Sequence, residues 1–138
     1  MIGKIRKLNI QKAGYVSIAA GIFAISVHVL VMSHILPYNW INGGRSISYQ
    51  AAFQTSLSSI IAILISILIT LIASKIIPLR LNKFWTILLI IWLWIGIPLD
   101  MIGIAQQFLG TTFEKSCMSI VTILGCMTDF RIALEKRL

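Results

Sequence analysis

The chain has 138 residues, 58% of them hydrophobic and only 12% charged, with a net charge of +8. Soluble domains carry about a quarter charged residues; here charge is scarce and the apolar residues form long runs, which excludes an ordinary soluble domain and indicates an integral membrane protein. The basic residues lie between the apolar runs, so they report membrane topology and not nucleic-acid binding.

Residues 1–12, MIGKIRKLNIQK, place Lys4, Arg6, Lys7 and Lys12 ahead of the first apolar run. That run is longer than the ~7–15 residues of a signal-peptide core, and no small-residue cleavage site follows it, so it is expected to be a retained span. The basic segment is expected to anchor topology, lying on the anionic leaflet or extending the first helix.

The first span is expected over residues 13–36, closed by Pro37 because the residue before a proline is pushed out of helical geometry. An outward loop follows at 37–50, within the most polar stretch of the chain, HILPYNWINGGRSISYQAAF. The second span is expected over 51–77, started by a Ser46 or Ser48 cap and stopped by Pro78. A basic turn, LRLNK, leads to a third span over 84–106 and then a fourth over 112–134. Each reaches the ~20 residues needed to cross hydrocarbon. The fold class is all-α: one transmembrane domain, a four-helix bundle running up-down-up-down, with neighbouring spans packed because their loops are short.

One side of this plan collects Lys4, Arg6, Lys7, Lys12, Lys75, Arg80, Lys83, Arg131, Lys136 and Arg137, and the other only Arg45 and Lys115. The positive-inside rule then puts both termini in the cytoplasm and the 37–50 loop outside. Compactness and an Ile-rich composition point to the cytoplasmic membrane of a bacterium.

Helices in lipid associate through small residues and polar contacts, so faces carrying them should turn inward. The second span has such a stripe in Thr55, Ser59, Ala62, Ser66, Thr70 and Ala73, expected to be a packing seam. The first has Gly14, Ser17, Gly21, Ala24 and His28. The third has Gly96, Asp100, Gly103, Gln107 and Gly110, whose glycines imply a close backbone neighbour; Pro98 should kink this helix. The fourth has Ser119, Thr122, Cys126, Asp129 and Ala133. Asp129 should reach the cytoplasmic headgroup level and pair with Lys75, Arg80 or Lys83. Cys117 and Cys126 lie on opposite faces, about 13 Å apart along the axis, too far for a disulfide.

An intramembrane carboxylate marks a functional site by default. Asp100 is the only acidic residue placed well inside a span. His28 should differ from it in depth by only about 5 Å, and Arg45 can reach down from the loop. The candidate ligand-binding residues are therefore His28, Arg45, Asp100 and Gln107 with Asn42 and Trp40 of the loop; Asn39 and Glu114 are close by. A structural Asp100–Arg45 or Asp100–His28 pair accounts for the same residues. Trp40 and Tyr38 also fit an interfacial aromatic belt.

No hydrolase, zinc-peptidase or nucleotide-loop motif is present, so neither a catalytic residue nor a cofactor is assigned. His28 and His34 do not share a helical face for a metal, and haem would need inward histidines from two helices. The favoured reading is a non-enzymatic membrane protein binding a small ligand, a lipid headgroup or a partner protein, the last including a second copy. The alternative is a proton-coupled carrier or membrane-embedded enzyme using Asp100 and His28.

Overall fold

Residues 2–137 are described by a computed structural model. A short helix α1 (Ile2–Arg6) precedes α2 (Ile10–Met32), α3 (Tyr49–Ala73), α4 (Lys83–Leu109) and α5 (Ser119–Ala133). Two 3-10 turns, Tyr38–Trp40 and Asn42–Gly44, shape the loop after α2, and a π-helical turn, Glu114–Met118, leads into α5. Every regular element among the described residues is a helix, and α2, α3, α4 and Glu114–Ala133 are each long and apolar enough to cross a membrane. The chain is a multi-pass membrane protein of the all-α four-helix class.

Polar side chains beside the apolar runs set the helix starts. Asn9 accepts from the Lys12 N–H (3.1 Å), Ser48 from that of Ala51 (3.2 Å) and Asn82 from that of Trp85 (3.0 Å). Each satisfies an amide that the first turn leaves without a partner. The ends come earlier than the prolines imply: α2 stops at Met32 and α3 at Ala73, not at 36 and 77. His34 and Lys75 adopt left-handed backbone (φ 60° and 61°). The following amides then fold back, Ile35 and Leu36 onto the Leu30 carbonyl and Ile77 onto that of Leu71. The terminal carbonyls are satisfied before either proline is reached. Pro98 lies inside α4, which continues through it to Leu109.

The packing order differs from the order in the chain. Helix α2 sits between α3 and α5, and α4 packs on α5. The consecutive helices α3 and α4, expected to be neighbours, do not pack along their length. Close approach explains the α2–α3 seam: a Cβ on Gly14 would collide with Ser74. The glycines of α4 do not serve this purpose, since Gly96 has nothing near it and Gly103 faces only Thr122 at 3.8 Å.

Two apolar clusters hold the ends. Val27, Val31, Ile41, Ala52 and Met118 pack under the 37–48 loop, and Ala73, Leu93, Ile132 and Ala133 pack at the end nearer the termini. Ile61, Leu64, Leu68, Ile91, Ile95 and Leu99 are exposed, as side chains solvated by lipid are. At the terminal end Arg131 is only 4% exposed. Its guanidinium donates to the Leu8 and Arg6 carbonyls (both 2.9 Å) and to Glu135 (3.1 Å), while Arg6 donates to the Leu134 carbonyl (2.9 Å). Ile2–Arg6 of the basic segment thus form a separate short helix tied beneath α5, and only its last residues, Ile10–Lys12, extend α2.

Candidate functional site

Between the two apolar clusters the bundle holds no packed core. It holds a groove of about 380 Å³ to which all four long helices contribute. Helix α2 supplies Ser17, Gly21, Ala24 and His28; α3 supplies Ser59, Ala62, Ser66 and Thr70. From α4 come Asp100 and Gln107, and from the α5 stretch Thr122, Cys126 and Asp129. The inward faces read from the sequence converge here. The middle of the α3 stripe is the exception to its expected role, since Ala62 and Ser66 are exposed groove wall and not a packing seam. The seam itself uses Ala52 and Ser56 at one end and Thr70 and Ala73 at the other.

Two of the hydroxyls in the wall are matched to backbone carbonyls one turn back. Ser59 donates to the Thr55 carbonyl (2.9 Å) and Thr122 to that of Met118 (2.8 Å). The carboxylates are not matched in this way. Asp129 accepts one hydrogen bond, from Ser17 Oγ (2.9 Å). Asp100 faces the groove within electrostatic range of Asp129, with no hydrogen bond among the described residues. Among the described residues no lysine or arginine lines the groove. Gln107 adds a buried Oε1 without a partner among the described residues.

This arrangement corrects three expectations. Asp100 is not the only acidic side chain inside the bundle. Asp129 does not pair with a lysine among the described residues; it accepts from Ser17 Oγ, and Lys75 pairs instead with Glu135 (2.9 Å). His28 and Asp100 do not pair. The Ser17–Asp129 contact and the packing of Val27 and Val31 on Met118 set the register of α2 against α5, and Gly103 opposite Thr122 sets that of α4. At a rise of 1.5 Å per residue these place His28 about 10 Å from Asp100 in depth, and Asp129 about 6 Å from it on the other side. His28 Nδ1 is hydrogen-bonded to Ser56 Oγ instead (3.1 Å).

A second cavity of about 200 Å³ lies nearer the loop, lined by His28, Asn42, Arg45, Gln107 and Glu114 among others. It unites four of the six residues singled out in the sequence, and His28 and Gln107 line both spaces. Arg45 does not descend to Asp100. It is exposed, and its Nε donates to the Asn42 carbonyl (3.1 Å). Trp40 stands apart, stacked on Phe113 with ring centroids 5.1 Å apart.

The hub at this end is Glu114, which sequence reasoning left on the periphery. It is 4% exposed. Its carboxylate accepts from the Gly43 N–H (2.9 and 3.1 Å), the Thr111 N–H (2.8 Å) and Thr111 Oγ1 (3.1 Å). Left-handed backbone at Asn42, Gly43 and Gly44 turns the Gly43 amide toward it, and a Cβ on Gly110 would collide with the carboxylate. The N-G-G signal was readable as a turn, but its partner lay 71 residues away.

Among the described residues no three His, Cys, Asp or Glu side chains form a group suited to a metal, and both cysteines are free. No protein-family model matches the chain, and no curated protein or solved structure is significantly similar to it.

Proposed function

We propose that this is a multi-pass protein of a bacterial cytoplasmic membrane, with both termini inside, that binds a small lipophilic cation in the groove. One observation carries the reading: Asp100 and Asp129 face one groove between membrane-length helices whose lining contains no lysine or arginine among the described residues. Holding carboxylates in a low-dielectric site is costly unless a counter-charge joins them. With no lysine or arginine in the lining among the described residues, and with His28 bonded to Ser56 about 10 Å from Asp100 in depth, a bound cation supplies that charge. The groove volume of about 380 Å³ is in the usual range of small-molecule sites, and its small apolar wall residues suit an organic cation better than a bare ion. The orientation rests on the gathering of basic residues at the terminal end.

The test is equilibrium binding of tetraphenylphosphonium, whose charge does not depend on pH, to the detergent-purified full chain. Asp100→Asn and Asp129→Asn are each expected to weaken binding about tenfold, the equivalent of ~1.4 kcal/mol. Wild-type affinity in both variants would overturn the reading. A second reading, a proton-coupled carrier, is favoured by the pair of carboxylates, which gives a proton a second acceptor. It separates from the first in proteoliposomes, where only a carrier couples cation movement to a change in internal pH.

A further inference from the structure

At the opposite end from the loop, a cavity of about 240 Å³ opens where the end of α3, the 74–82 connector and the start of α4 meet the segment after α5. Lys75, Lys136 and Arg137 line it together with Ile72, Leu79 and Leu89. Two chemistries are therefore side by side, a set of cations and an aliphatic wall.

The cations are only partly neutralised from within. Glu135 bonds Lys75 at 2.9 Å and Arg131 at 3.1 Å. Arg137 donates through Nη2 to the Ile132 carbonyl (2.8 Å). Its Nε is buried without a hydrogen-bond partner among the described residues. Burial holds this guanidinium below the ordinary arginine range, opposed by Glu135. Arg137 nevertheless lines the cavity beside Lys75 and Lys136, and phosphate oxygens match guanidinium geometry.

We infer that this cavity is a binding site for an anionic phospholipid, its phosphate held by Lys75, Lys136 and Arg137 and an acyl chain laid along Ile72, Leu79 and Leu89. The aliphatic wall selects a lipid over a free phosphate. The gap between α3 and α4, which do not pack along their length, gives the chain a place to lie. Basic pockets at the ends of membrane helices are a recurring mode of headgroup recognition. The site is remote from the groove and stands whether or not the groove binds a cation.

The test is a native mass spectrometry titration of the full chain in detergent with phosphatidylglycerol, phosphatidylcholine or inorganic phosphate. Phosphatidylglycerol is expected to bind saturably, and phosphatidylcholine and inorganic phosphate are expected neither to bind nor to compete. Lys136→Gln and Arg137→Gln are each expected to weaken phosphatidylglycerol about fivefold, while the double variant Lys4→Gln/Lys7→Gln, outside the cavity, keeps wild-type affinity. Equal binding of the two lipids overturns the inference, as does full competition by inorganic phosphate. So does an equal loss in the Lys4/Lys7 variant, which would mean diffuse attraction to a basic surface. Lys136 is exposed and its side chain makes no hydrogen bond or ion pair among the described residues, so its variant decides the matter if Arg137→Gln fails to fold.

Discussion

The two acidic regions of this bundle are built on opposite principles. Around Glu114, a nearly fully buried carboxylate is surrounded by backbone and hydroxyl donors, every one within 3.1 Å. In the groove, Asp100 and Asp129 share a cavity with one hydroxyl donor between them and no lysine or arginine among the described residues. A carboxylate whose lone pairs are filled by its own chain stabilises the fold; one left open is a site for something else. Burial alone would have ranked Glu114 first as a functional candidate, and only the count of hydrogen-bond partners reverses that order.

The contrast can be broken most sharply at Glu114. Glu114→Ala strands the Gly43 and Thr111 amides and is expected to lower stability by about 3 kcal/mol, from the ~1–3 kcal/mol of each orphaned donor. Thermal unfolding in detergent checks this. Asp100→Asn, by the same measurement, is expected to leave the midpoint unchanged or to raise it, since it removes a charge that has no hydrogen bond or ion pair among the described residues. A loss comparable to that of Glu114→Ala would place Asp100 in a structural role. Next in size, Gly110→Ala drives a methyl group into the Glu114 carboxylate and is expected to cost about 2 kcal/mol, within the range for overpacking.

The smallest effect concerns pH. The Lys75 hydrogen bond, opposed by partial burial and aided by Arg131, holds Glu135 below its ordinary value of 4.5. A carboxyl with a depressed native pKa adds stability above its unfolded value and loses it as pH falls through the native one. This contribution is therefore intact above pH 4.5 and fades below it. Unfolding midpoints of wild type and Glu135→Gln are expected to differ at neutral pH and to converge in acid.

Much of the architecture was legible because lipid imposes a simple code. Apolar runs gave the spans, Ser48 gave a helix start, and small and polar stripes gave the inward faces that line the groove. What those faces enclose was not legible. Periodicity says which side of a helix turns inward, but not whether the partner faces touch, and α3 and α4 leave a gap where neighbours in sequence were expected to pack. Partner choice was the other failure. Asp129 was expected to pair with Lys75, Arg80 or Lys83, but it meets Ser17, and Lys75 takes Glu135. The role of Glu114 depended on a π-turn and a distant glycine amide, neither of which leaves a periodic trace.

The central claim, that the two groove carboxylates serve one bound cation, is tested most directly by a double-mutant cycle on tetraphenylphosphonium affinity with Asp100→Asn, Asp129→Asn and the double variant. The expected result is a loss in each single variant and a double loss that departs from their sum by at least ~0.5 kcal/mol, the threshold for contacting sites. Unchanged affinity across the cycle, or strictly additive losses, would contradict it.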